Sequence, residues 1–122
     1  MNQPTKIYNQ FDVVVVPFPF TDSNTTKRRP ALIISEQVAF NTPMQKSIMA
    51  MITTATHQPW TLDVNISDLS AAGLNNPSIV RMKLFTLDHT LIARHIGHLS
   101  AKDADEVIKS IAELVNLNHP SS

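Results

Sequence analysis

Two short apolar runs, joined by a proline-broken loop that ends in cations, confine this chain to a small β fold. The runs are residues 13–16 (VVVV) and 31–34 (ALII), inside the stretch FDVVVVPFPFTDSNTTKRRPALIISE at positions 11–36. Each is β-branched or aliphatic and bounded by turn residues, which predicts two buried strands. Pro17 and Pro19 flank Phe18, so that segment is extended and not a regular central strand. The loop then turns polar and ends in Lys27, Arg28, Arg29 and Pro30. Pro30 disfavours the helical region for Arg29 and holds it extended, at the mouth of the second strand. Three cations at the edge of a buried hairpin suggest an anion site; a solvated basic turn is the plainer alternative.

Downstream, residues 35–43 read as a short helical turn or loop, and residues 48–53 as a third strand with Met49 and Met51 on one face. Residues 60–66 alternate, with Leu62, Val64 and Ile66 on one side, as a half-exposed strand does. Residues 68–72 fit one helical turn stopped by Gly73. Residues 78–87 read as a long strand, with 91–99 as another or its continuation. Helical periodicity appears only after Ser100. Ala104, Val107, Ile108, Ile111, Leu114 and Val115 recur at three- and four-residue steps as one apolar stripe. Ser100 with Asp103 makes an acidic variant of the N-terminal cap signature. The expectation is a single mainly-β domain with some α: a loose leader over residues 1–9, a curved antiparallel sheet over 10–100 and a C-terminal helix over 101–116.

At 122 residues the chain can bury most of its apolar surface as one domain. It has no cysteine, hence no disulfide framework and no thiolate metal site. No run approaches the ~20 apolar residues of a membrane helix, and the polar first ten residues lack a signal region. A cytoplasmic protein away from membranes is expected. Net charge is zero, yet residues 1–60 carry five Lys/Arg against three acids and residues 61–122 five against seven. The basic surplus belongs to the half that holds the Lys27–Arg28–Arg29 loop.

The histidines are His57, His89, His95, His98 and His119. None forms a helical metal pair, and His95 and His98 are expected on opposite faces of a strand, so neither a metal site nor a cofactor is expected. Gly73 and Gly97 are the only glycines, too few for a phosphate loop. No Ser or Cys nucleophile motif stands out.

The ordered motifs DVVVVPFPFTD, KRRPALIIS, Phe40-Asn41, Ile52-Thr53-Thr54, Gly73-Leu74, Pro77-Ser78-Ile79-Val80, Phe85-Thr86-Leu87-Asp88 and Ile96-Gly97-His98-Leu99-Ser100 resemble the PemK/MazF family of toxin ribonucleases. These are the toxin halves of type II toxin–antitoxin pairs, and the likeness spans residues 10–115. One departure stands at the opening turn. The family usually has Gly just before the first acidic residue of the first strand, where Gln10-Phe11 precedes Asp12 here. The resemblance implies the SH3-like antiparallel barrel of the MazF and CcdB toxins plus the C-terminal helix. It also implies a homodimer, a cognate antitoxin partner with which DNA is bound, and metal-independent endoribonuclease activity on single-stranded RNA that inhibits growth.

RNA carries its own nucleophile, the 2′-OH, and a fixed guanidinium suits the charge that develops on phosphorus. By resemblance Arg29 and Thr53 are the catalytic pair. Arg81 is a third candidate, at a place where some relatives have an arginine followed two residues later by aspartate; here that later position is Lys83. The general base is then unassigned, and His57, in the loop after Thr53, has the right unperturbed pKa range. Lys27, Arg28, Thr54 and Lys83 are expected RNA contacts. Phe18 and Phe20 are expected to line an antitoxin groove, with core packing as the plainer alternative. The dimer is expected to pair residues 78–87, not the helix. The other functional class open to this fold is a protein-binding toxin of the CcdB, gyrase-inhibiting type, or a relative that only binds antitoxin; neither needs Arg29 and Thr53.

Overall fold

The computed structural model describes residues 6–17, 27–55 and 58–117. In chain order its elements are β1 (Asp12–Pro17), β2 (Arg28–Ile33), a π-helical turn (Gln37–Asn41) running into α1 (Thr42–Met44), and β3 (Lys46–Thr54). Then come β4 (Val64–Asn65), α2 (Leu69–Ala72), β5 (Ser78–Asp88), a 3-10 turn (His89–Leu91), β6 (Arg94–His98) and α3 (Ala101–Leu114). The strands form one six-stranded sheet in the order β4-β5-β3-β2-β1-β6, every pair antiparallel. It curls into a half-barrel with α3 on one side, so the expected mainly-β fold with a C-terminal helix is the fold that forms.

The valine run of β1 is apolar throughout because both of its faces are covered. Val13, Leu32, Ile52 and Val80 enter a core closed by Val107 of α3. Val14, Val16, Ala31, Ile33 and Met49 enter a second core with Tyr8, Phe85 and Leu87. Within the leader, residues 1–5 lie outside the described residues, and Tyr8 packs on the sheet: it is buried, and Asn41, itself fully buried, donates to its carbonyl at 2.9 Å. Burial also consumes most of the apolar surface that β5 was expected to offer a second copy. Ile79, Val80 and Phe85 are buried within this chain, and Leu84 alone of that set stays exposed.

Residues 60–66 are not a strand over their length. Only Val64–Asn65 pairs, with β5, and Leu62 sits at φ 74 in a turn whose Asp63 N–H donates to the Trp60 carbonyl. At the opening turn, Phe11 has φ 73, the left-handed region that glycine tolerates. The backbone thus keeps a glycine-like conformation at a cost of about 1–2 kcal/mol, and burial of the Phe11 ring in the first core offsets it.

Gly73 and Gly97 share one junction. Gly73 has φ 75, and a Cβ there would fall 2.0 Å from the Ile96 carbonyl oxygen; a Cβ on Gly97 would fall 2.4 Å from the Ala72 carbonyl carbon. Only bare backbone lets α2 lie flush on β6, and this contact sets the position of the following residues 74–76.

α3 is rotated relative to its hydropathy stripe. Asp103, Val107, Ser110 and Ala112 are buried, whereas Ile108 and Leu114 are exposed. Ser100 caps the helix by accepting from the Asp103 N–H, but the Asp103 carboxylate does not close a capping box. It accepts instead from the Ser67 and Asp68 N–H groups, at 3.0 to 3.1 Å, and from the Ser67 hydroxyl at 2.7 Å. Ser110 donates to the Leu62 carbonyl at 3.1 Å. Two polar side chains thus staple the helix to the 62–68 segment.

Burial alone would raise the Asp103 pKa. The hydrogen bonds from Asp68, Ser67 and Ser100 outweigh it and hold the carboxyl below its usual range. A depressed carboxyl contributes stability above its unfolded pKa of about 4 and loses it as pH falls through the lower folded value. Asp103→Ala is expected to cost about 1–3 kcal/mol, because buried donors lose their acceptor. In denaturant titrations the wild-type midpoint should fall on acidification below the ordinary carboxylate range, and the variant should show a weaker fall. Equal midpoints at neutral pH would refute this role.

Candidate active site

The β2–β3 register ends with Ala31 opposite Met51; Arg29 lies two residues before Ala31 and Thr53 two residues after Met51, where the two strands run on past their last pair. Side chains alternate along a strand, so Arg29 falls on the face of Ala31 and Thr53 on the face of Met51, and these two are paired and share that face. Thr53 is in turn paired with Ile79 of β5, which fixes it from the other edge. Both residues line one cavity of about 190 Å³, together with Thr54, Asn75, Asn76 and Ser78. Arg29 is half-buried with its Nε enclosed, and Thr53 is buried, so neither side chain is a freely swinging surface group.

The structure thus brings Arg29, Thr53 and Thr54 together. Arg28 is exposed at the start of β2, and Lys27, also exposed, precedes it. Asn75 and Asn76 were legible in sequence only as a turn before Pro77; their place in the cavity wall comes from the Gly73–Gly97 junction that precedes them.

Arg81 goes elsewhere. It is buried on β5 and does not line this cavity. Its Nε donates to Asp63 Oδ1 at 3.1 Å and one terminal nitrogen to Asp63 Oδ2 at 2.9 Å and to the Gln58 carbonyl at 2.9 Å. The Trp60 ring centroid lies 5.0 Å from its Cζ, within cation–π range. Burial opposes ionisation of Asp63, but the Arg81 and Trp60 hydrogen bonds outweigh it and lower its pKa; the Asp63 hydrogen bond raises that of Arg81. Lys83 falls in a bulge, where β3 passes from Ala50 opposite Leu84 to Met51 opposite Arg81, and it lines no part of the cavity. Phe18, Phe20 and His57 lie outside the described residues.

His95 and His98 do not diverge as their spacing suggests. The β1–β6 register shifts between Val13 and Val14, so His95 Nε2, at 3.3 Å, and His98 Nδ1, at 2.9 Å, both reach Asp12 Oδ1. His89 is a core histidine, 2.7 Å from the Ser47 hydroxyl and stacked at a tilt on Tyr8; burial lowers its pKa. Among the described residues no group of three or more His, Asp or Glu side chains is placed to hold a metal ion, and no helix is long and apolar enough to cross a membrane.

A family model described as the PemK-like, MazF-like toxin of type II toxin–antitoxin systems matches residues 9–115. No curated protein matches the sequence. Among solved structures, the Mycobacterium tuberculosis toxin MazF-mt6 is similar with a TM-score of 0.68 at 23% identity, covering 86% of this chain and 96% of that one. MazF of Deinococcus radiodurans, form I, has a TM-score of 0.70 at 17% identity, covering 92% and 99%. The MazE–MazF structure, form II, from the same organism has a TM-score of 0.68 at 15% identity, covering 91% and 97%.

Proposed function

This chain belongs to the PemK-like, MazF-like toxins of type II toxin–antitoxin systems, and from that premise we propose that it is a metal-independent endoribonuclease acting on single-stranded RNA. The observation that carries this reading is that Arg29 and Thr53 line one cavity at the ends of β2 and β3.

In this reading the 2′-oxygen attacks the adjacent phosphorus and loses its proton. The bond from phosphorus to the 5′-oxygen breaks, and that oxygen gains a proton, leaving a cyclic phosphate and a 5′-OH. The Arg29 guanidinium, planar and always charged, takes the two non-bridging oxygens as charge accumulates on them. The Thr53 hydroxyl donates a further hydrogen bond from a position that the β3–β5 pairing holds. Lys27, Arg28 and Thr54 contact the strand beyond the scissile phosphate and contribute affinity. Arg81, committed to Asp63, braces the loop after β3. His57 follows Thr53 closely enough in sequence to be the candidate base. The partner of this toxin is a cognate antitoxin; a MazF relative has been solved with MazE, and an acidic tail with apolar anchors suits a basic groove. The working form is a cytoplasmic homodimer.

The test is incubation of the purified protein with a defined single-stranded RNA in EDTA. Expected products are discrete fragments with 5′-OH ends that become kinase substrates without phosphatase treatment, and cyclic phosphates on the other ends. Intact RNA in EDTA, with cleavage appearing only when a divalent ion is restored, would refute metal-independent chemistry.

A further inference from the structure

Beside the Arg29–Thr53 cavity lies a larger one, about 370 Å³ in volume. The two share Arg29, Pro30, Leu74, Asn75 and Asn76 as a common wall. The far side of the second is lined by Arg28, Val15 and Arg94. We propose that this second cavity is a phosphate subsite for the RNA strand, in which Arg94 and Arg28 hold the backbone of a nucleotide flanking the cleaved one. The inference rests on the ribonuclease reading above and adds Arg94, Asn75 and Asn76 to the substrate path.

The sheet register explains the convergence. Val15 of β1 is paired on one side with Arg94 of β6 and on the other with Pro30 of β2. Paired residues share a face, and Arg28, two residues before Pro30, projects from that same face. Arg94 stands level with Val15 and Arg28 level with Pro17, two residues along β1, so the two arginines share one face and both line the cavity. Both are exposed, and among the described residues neither is in an ion pair. Three of the chain's ten Lys/Arg meet at this cavity, with no carboxylate on its lining, in a chain of zero net charge. Such a local excess of planar, bidentate cations matches phosphate oxygens.

Continuity selects the ligand. A strand with its scissile phosphate on Arg29 passes into the second cavity along the Asn75–Asn76 wall. Single-stranded RNA carries a phosphate at every nucleotide, so a cationic subsite next to the catalytic one is matched by any sequence. The two amides offer donors and acceptors to a base edge between the two phosphates.

The experiment compares wild type, Arg94→Ala and Arg94→Lys on one RNA. Binding is measured on the 2′-O-methyl version, which lacks the attacking hydroxyl, across a salt series. Arg94→Ala is expected to flatten the slope of log affinity against log salt by about 0.7, the contribution of one phosphate contact to a single strand. Cleavage of the unmodified RNA should lose several-fold in kcat/KM, expressed in KM, and Arg94→Lys should recover most of the salt slope. Since Arg94 is exposed, the denaturation midpoint should stay where it is. An unchanged salt slope and KM in Arg94→Ala, with wild type cleaving normally, would overturn the subsite alone. Weakened binding of an oligoglutamate peptide with RNA binding intact would assign the cavity to an acidic polypeptide and likewise overturn it. Wild type that neither binds nor cleaves RNA would instead overturn the ribonuclease reading on which the subsite stands.

Discussion

Arg29→Ala is expected to slow RNA cleavage by about 10²–10³-fold, the usual loss when one preorganised charge donor is removed from a developing oxyanion. The size follows from the geometry. Arg29 sits near a strand end, before Pro30, in one cavity with Thr53 and with its Nε enclosed. A guanidinium held this way pays little reorganisation as charge develops on phosphorus. Arg29→Lys should recover only part of the rate, because a point charge cannot engage two oxygens in the plane of the fork. Arg29 is at the mouth of the sheet and not in either core, so the loss of stability should be smaller than the ~3–5 kcal/mol expected on breaking a buried ion pair. The measurement is the initial rate on a defined RNA in EDTA, with a denaturant titration of the same preparations. Equal rates for wild type and Arg29→Ala would remove Arg29 from the catalytic site.

The largest expected loss of stability is at Arg81. The Arg81–Asp63 pair is bidentate and buried, with side-chain exposures of 8% and 11%, so removing either partner strands the other charge away from water. Arg81→Ala and Asp63→Ala should each cost about 3–5 kcal/mol. The double variant should cost less than the sum of the singles, since neither charge is then left unpaired. The Asp63 carboxyl, held below its usual range, adds stability above its unfolded pKa and loses it as pH falls through the folded one; Asp63→Ala should therefore flatten the acid side of the stability profile. Denaturant titrations of the four proteins measure all of this. The same set separates bracing from catalysis. If Arg81→Ala retained wild-type stability yet lost cleavage, Arg81 would belong to the chemistry and the bracing role would be wrong.

Phe11 shows how a local departure from the family pattern can leave the structure intact. Its backbone adopts φ 73, the left-handed region that glycine tolerates, while carrying a full side chain. The cost is steric and local, whereas the compensation is ring burial in a core built from distant strands. Asn41, Gly73 and Gly97 make a related point. As sequence motifs they pointed to the family, yet their visible work is structural: one ties Tyr8 to the sheet, and the other two let α2 lie against β6.

The central strands, the terminal helix and the arginine held extended before proline were legible from local sequence. Those features depend on local physics: β-branched runs, helical periodicity and the restriction that Pro30 places on its neighbour. The ordered motifs of the sequence also carried the family. The tertiary structure alone decided what depends on register and docking. It placed Arg29 and Thr53 in one cavity, turned Arg81 toward Asp63, brought His95 and His98 to one carboxylate across a register shift, and set Arg94 and Arg28 on the lining of one cavity. It also rotated α3 so that Asp103 and Ser110 face inward while Ile108 faces out. Hydropathy could not show that rotation. A buried carboxylate or hydroxyl is favourable only where distant backbone groups need its hydrogen bonds, and those groups come together only when the chain has folded.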